Sequence, residues 1–467
     1  MSITVQPAQR VFRGIDYRTV WRWHFYAGLF CIPFVLWLSL TGTIYLFKPQ
    51  VEKFLDRNYD YLTIAHRSSA NQEVQAALAA VPGSTFDTYQ LPRSDLSAAQ
   101  ILVDKGTQQF RVYVHPETLQ VLHLVNEDMR LEKVVFRLHG ELLMGDAGSW
   151  IVELAAGWAM VMILSGLYLW WPRNASGLGG VIYPRLKLGK RGFWRDIHAV
   201  TGIYVSFFAL FLLFTGLPWA KSWGGYLKAW RHLANGHAAH QDWITSSSED
   251  LAARAKRTSQ APSTEGGEHS MHGHHVAHAK VPADGYPALD RMIATVAQLH
   301  LAYPVLISPA MGAGGNWTAK SDTQNRPQRV DLILDAGTGA IVTRTDFSQR
   351  KWLDRVVGTG VAAHEGQLFG LANQLLGLFT AASLFLLAVS ALVMWWRRRP
   401  AGALGVPQRM HPVRLSPAFV ASLVALGVYQ PFLGVSMILV VLTERFVLRK
   451  IPAVSAWLGL GTLLAQA

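Results

Sequence analysis

Four histidines stand at duplicated positions in this chain, and imidazole is a side chain that both binds metals and moves protons near neutral pH. His24 lies at the head of the apolar run WHFYAGLFCIPFVLWLSLTG, and His198 at the head of IHAVTGIYVSFFALFLLFTG. A glycine follows each histidine by four residues (Gly28, Gly202), and Thr-Gly closes each run (Gly42, Gly216). His24 to Gly42 is 18 residues, as is His198 to Gly216. Eighteen residues make five helical turns, so histidine and glycine share a helix face about 27 Å apart. A second pair repeats the logic. His139 to Trp171 and His364 to Trp396 are both 32 residues, and Ser165 and Ser390 each follow their histidine by 26. Matching intervals of this kind read as an internal duplication.

The elements that must position these residues are membrane helices. Of 467 residues, 51% are apolar, 17 are Trp and only 16% are charged, which is below the level of a soluble domain. The single cysteine, Cys31, sits within an apolar run, so there is no disulfide framework or CxxC motif and it reads as a small buried hydrophobe. The first apolar run ends in Lys48-Pro49 without a small-residue cleavage site and reads as a retained anchor. The net charge of +13 is localised: residues 1–23 carry +3, 172–197 carry +5 and 397–415 carry +5. These segments are expected to be the cytoplasmic faces of an inner-membrane protein with a cytoplasmic N-terminus. The basicity is a topology signal, and nucleic-acid binding is not expected.

The fold class expected is an α-helical membrane protein. It has a four-helix transmembrane core from the duplication, a C-terminal membrane segment or segments, and two small α+β periplasmic modules. After a cytoplasmic stretch 1–23, the boundaries are a first span 24–47, a module 48–149, a second span 150–171 and a cytoplasmic loop 172–197. The second repeat has a span 198–219, a module 220–373 with a His-rich insertion 232–281, a span 374–396 and a loop 397–414. Residues 415–467 are apolar but interrupted at Gln430-Pro431 and flanked by basic residues on both sides. A kinked helix and a re-entrant hairpin are both compatible with that. Each module reads as a helix followed by four strands: FDTYQL, AQILVDK, FRVYVH and QVLHLV in the first, PVLIS, NWTAK, RVDLIL and AIVTRT in the second.

His24 and His198 then share one membrane depth, and His139 and His364 lie near the opposite ends of the returning helices. The duplication implies a pseudo-twofold axis along the membrane normal, with each pair facing across it. That is the geometry of bis-imidazole haem in a helical bundle, here two haems stacked across the bilayer. Gly28, Gly202, Gly42 and Gly216 are expected to make room for the porphyrins. With no CxxCH, both haems would be non-covalent, b-type. A zinc or copper site at the pairs lacks matching Cys or acidic ligands in both repeats. A proton relay would have only Glu153 within a span. Five further histidines, His269, His272, His274, His275 and His278, crowd one stretch of the insertion and suggest weak, unselective metal binding. No phosphate-binding loop or dinucleotide fingerprint occurs, so electrons would come from another protein, a small reductant or the quinol pool.

The HxxxG motifs at His24 and His198, the helix ends WWPR (170–173) and WWRR (395–398), the two helix-plus-hairpin modules and the segment QPFLGVSMILVVLTERFVLRKIP together resemble the PepSY-associated transmembrane family of iron-regulated inner-membrane proteins. Within it, the chain is similar to di-haem ferrioxamine-type siderophore reductases. The resemblance implies haem ligation at His24, His198, His139 and His364, PepSY-like modules, and reduction of a ferric siderophore in the periplasm to release Fe(II). The long His-rich insertion departs from the pattern. A non-enzymatic reading, a metal-binding or scaffold membrane protein whose modules bind partners, predicts a colourless protein instead.

Overall fold

In a computed structural model, residues 17–173, 177–235, 286–309, 315–407 and 417–460, with Leu251 and Arg254, are described. The crowded histidines His269–His278 lie outside them. Among the described residues, five helices are long and apolar enough to cross a membrane: Tyr17–Leu46, Asp146–Trp170, Gly189–Trp219, Leu371–Arg398 and Pro431–Lys450. We label α1 Tyr17–Leu46, α5 Asp146–Trp170, α6 Gly189–Gly216 and α10 Leu371–Arg398. Helix α1 packs on α5 and α6 on α10, and α1–α10 and α5–α6 contacts close the ring. The helices begin earlier than the apolar runs suggest. His24 and His198 therefore lie inside helices that start at Tyr17 and Gly189, rather than at their first turn.

The remaining elements cap one end of the bundle. After α1 come α2 Lys48–Asp56, α3 Ala70–Ala80 and strands β1 Thr85–Gln90, β2 Ala99–Lys105, β3 Gln108–Val114 and β4 Val121–Asn126. Then α4 Leu131–Glu141 leads into α5 through Leu142 and Leu143, both at positive φ. After α6 come α7 Lys221–Asn235, α8 Ala288–Ala297, strands β5 Val305–Ser308, β6 Trp317–Ser321, β7 Val330–Leu334 and β8 Ile341–Asp346, and α9 Trp352–His364. The strands expected for the two modules join edge to edge. The strands form one eight-stranded antiparallel sheet, β4-β3-β2-β1-β5-β6-β7-β8, joined where Tyr89 pairs with Ile307 and Gln90 with Leu306. Period-two alternation divides its faces. Val103, Val112, Ile101 and Leu332 point to a core shared with Val74 and Ala77 of α3 and Leu289 and Met292 of α8. The opposite face carries Gln90, Gln100 and Arg111, whose guanidinium donates to both glutamine side chains and forks onto Glu127.

The C-terminal segment forms α11 Pro417–Tyr429, α12 Pro431–Phe446 and α13 Pro452–Leu458. A Cβ on Gly434 would lie 3.0 Å from both Cα and the carbonyl oxygen of Gly427. In a continuous helix residues seven apart are separated by about 10 Å, so the chain reverses at Gln430-Pro431. The reversal selects the hairpin over the kinked helix. At its tip, Gln430 is buried against Met160 and beside Gly157 of α5, and Trp223 donates to the Tyr429 carbonyl. Beyond α12 the chain returns to the basic end of the bundle, where Arg22 donates to the carbonyls of Gly459 and Pro407 and Leu404 N donates to Trp457 O. Both feet of the hairpin, Pro417 and Phe446, therefore face the same end.

Two outcomes test this fold. Gly434→Leu forces a side chain into backbone and lowers the Tm of the solubilised protein, costing roughly 1–3 kcal/mol. Val435→Leu, at an exposed neighbour, leaves it unchanged; equal Tm values for both variants would rule out the reversal. In the sheet core, Glu73 is fully buried, accepts from Tyr89 Oη at 2.6 Å and faces Arg67 at 3.2 Å. Burial outweighs Arg67 and Tyr89 and pushes its carboxyl up to about 7. The folded state therefore holds a proton that the unfolded chain releases above about 4.5. Stability falls as pH rises from there through 7, by at most roughly 3 kcal/mol. Glu73→Gln is expected to flatten the Tm–pH profile over that window.

Candidate functional site: two histidine pairs in the bundle

At the basic end His24 of α1 and His198 of α6 face one another, with ring centroids 6.4 Å apart and planes at 80°. Two imidazoles sharing one metal at nitrogen distances of about 2.0–2.1 Å would have centroids roughly 6 Å apart, and rotation about the shared axis leaves the interplanar angle free. The hydrogen bonds settle which nitrogen is available. Ser165 Oγ donates its proton to Met162 O at 2.9 Å. It can therefore only accept from His24 Nδ1, which lies 3.1 Å away and 2.9 Å from Met162 O itself. The second repeat does the same: Ser390 Oγ donates to Leu387 O at 2.9 Å, and His198 Nδ1 lies 3.0 Å from Ser390 Oγ and 3.2 Å from Leu387 O. Both imidazoles are thus Nδ1–H tautomers with a bare Nε2, the form that ligates metal.

The other pair follows the same rule with threonine. Thr41 Oγ1 donates to Trp37 O at 2.9 Å and accepts from His139 Nδ1 at 3.0 Å. Thr215 Oγ1 donates to Phe211 O at 2.7 Å and accepts from His364 Nδ1 at 2.9 Å. His139 and His364 close the short helices α4 and α9, outside the spans. Burial pushes His139 down to about 4 and His364 to about 3, so both are neutral. All four residues are half-buried, and His24 and His198 line one cavity.

The glycines divide into two groups. Gly28 and Gly202 have nothing nearer than 3.8 Å to an added Cβ and line the same cavity as His24 and His198. Gly42 and Gly216 have a different role from the one expected. Their missing side chains admit the imidazoles themselves, His139 Cε1 at 3.2 Å and His364 Cε1 at 3.3 Å. Gly166 does this for His24, at 3.0 Å. Sequence reading missed Gly166, and it took Ser165 and Ser390 as markers of the duplication rather than as the groups that orient His24 and His198. Thr-Gly at 41–42 and 215–216 was the visible signal for the outer pair. Glu153 is no relay: its carboxylate accepts from Ser222 N and Trp223 N and so anchors the start of α7.

Two cavities flank these centres. One, of about 1030 Å³, contains His24 and His198. The other, of about 1250 Å³, lies between the polar face of the sheet and α2, α4 and α9, and is lined by Arg93, Arg111, Tyr303, Lys320 and Arg326 among others. Arg326 lies over the Trp219 ring at 6.0 Å, and Trp219 meets His364 edge-on at 5.8 Å, so Trp219 stands between the second cavity's Arg326 and His364. Among the described residues, no group of three or more His, Cys, Asp or Glu could hold a metal ion.

Residues 21–398 match the profile of the PepSY-associated TM region. No curated protein matches the chain.

The tautomer assignment makes a direct prediction. In cofactor-free protein with 15N-labelled imidazoles, His24, His198, His139 and His364 give Nδ1–H signatures, and those of His139 and His364 stay neutral between pH 5 and 8. Nε2–H signatures for those residues would remove the case for ligation.

Proposed function

Because the chain belongs to the PepSY-associated transmembrane family, a multi-pass membrane family, we propose that it is an inner-membrane di-haem oxidoreductase that carries electrons outward and reduces a periplasmic ferric siderophore, releasing Fe(II). The observation that carries this reading is the His24–His198 pair: 6.4 Å between centroids, both Nδ1 atoms tied to hydroxyl and carbonyl, both Nε2 atoms bare, in a cavity with an apolar interior. The residues fit bis-imidazole haem and do not fit a tetrahedral metal site. His24 and His198 would hold one b-type haem and His139 and His364 a second. Bound haem supplies reversible one-electron transfer.

What the chain contributes is position and environment. The Ser165, Ser390, Thr41 and Thr215 hydroxyls hold each ring in one tautomer, which raises the basicity of the ligating nitrogen. Apolar α1, α5, α6 and α10 keep water from the space between the centres. The basic termini and loops would face the cytoplasm, where an electron-donating protein or reductant, or the quinol pool through the membrane, would supply electrons. The sheet would then face the periplasm, and the polar cavity beneath it would receive the ferric chelate next to His364. The substrate gains one electron per iron, and Fe(II) leaves hard oxygen ligands far more readily than Fe(III).

The expected spectrum of purified protein sharpens to a b-type α-band on reduction, with about two haems per chain by pyridine haemochrome. His139→Ala or His364→Ala is expected to retain one haem, with an unchanged inner spectrum, and to lose reduction of a ferric chelate added to the periplasmic side. Retained reduction in those variants would rule out the outer centre's role. A colourless protein, expressed with ample haem, would favour a metal-binding or scaffold function.

A further inference from the structure

The histidines obey the twofold relation of the repeats, but the mouth of their cavity does not. On the α6–α10 side it is rimmed by Lys190, Arg191, Arg195, Arg397 and Arg398; on the α1–α5 side by Tyr17, Trp21 and Trp170. No Asp or Glu is among the described residues lining it. Nearby Asp196 is fully buried and already committed, to Arg185 at 2.8 Å and Arg195 at 2.7 Å. That leaves Lys190, Arg191, Arg397 and Arg398, none of which forms an ion pair among the described residues. Arg191 and Arg398 lie close enough to repel each other, and the charge of Arg398 reaches His198. The first turn of α6, which carries Lys190 and Arg191, also has no side-chain cap on its N–H groups, so its dipole adds to the positive field.

Like charges gathered at the edge of an apolar space repel unless an anion joins them. The anion that fits belongs to a ligand with an apolar body, a coordinating centre between His24 and His198, and acidic groups on one edge. We propose that Lys190, Arg191, Arg397 and Arg398 bind the two carboxylates of the inner haem, and so fix its charged edge toward the basic end on the α6–α10 side. This rests on the di-haem reading. The positive-inside rule alone would place cations at these helix ends, and an anionic lipid phosphate shares the recognition chemistry. The ligand and its lipid rival therefore have to be separated by experiment.

The test uses the full chain in detergent. Haem content, haem transfer to apomyoglobin and reductive titration are compared between the natural protein and the double variant Arg191→Gln/Arg398→Gln. Cofactor-free natural protein is also reconstituted with haem and with haem dimethyl ester, whose carboxylates are blocked, so one arm needs no variant. The expected results are transfer of one of the two haems at least tenfold faster in the variant, a lower potential for that haem, and weaker binding of the ester than of haem by natural protein, with the difference abolished in the variant. Equal transfer rates and equal ester binding would overturn the proposal. So would a variant whose only change is weaker binding to phosphatidylglycerol vesicles, which would assign the rim to lipid. A natural protein that takes up no haem at all would instead overturn the di-haem reading itself.

Discussion

A hydroxyl has one proton, and in this bundle that proton is spent on a helix carbonyl. Ser165, Ser390, Thr41 and Thr215 each donate to their own helix, three or four residues back. What remains on each oxygen is acceptor capacity, and the one donor nearby is a histidine Nδ1–H. In an apolar interior an imidazole without a partner is costly, so this bond decides both the tautomer and the ring orientation. The positions of Gly42, Gly166 and Gly216, where the rings need space, follow from it. So does the pairing of helices: His24 ties α1 to α5 at one end while His139 ties α4 back to α1 at the other, and the second repeat copies both ties.

Duplication explains the four histidines, and departures from it distinguish the two ends and the two repeats. The two repeat sheets merge through β1 and β5 into a single cover over one end. The opposite end is basic, and at the inner cavity the charges sit on one repeat only. The polar cavity under the sheet breaks the symmetry again, because Trp219 and Arg326 lead toward it from His364.

Much of this was legible in the sequence because it is periodic. Equal intervals exposed the four histidines, alternation exposed the eight strands, and Arg and Trp at the helix ends marked the boundaries. The coupling between elements was hidden. That Ser165 orients His24, 141 residues away, has no local signature, and neither does the single register that joins β1 to β5. Gly42 and Gly216 were visible as conspicuous glycines, but their role depends on which ring crosses them. The reversal at Gln430-Pro431 stayed open because a proline in an apolar run fits a bend or a full turn equally well. The close approach of Gly427 to Gly434 decides between the two.

That reversal bears on how the protein is made. An arm of 13 residues, Pro417–Tyr429, spans about 20 Å, short of the roughly 30 Å of hydrocarbon. Hydropathy alone gives such a segment no stable resting place across the bilayer, and its tip carries Gln430, a polar group that finds Met160 and the space beside Gly157 only after α5 is in place. Packing against α5, rather than hydropathy, therefore sets where this arm rests.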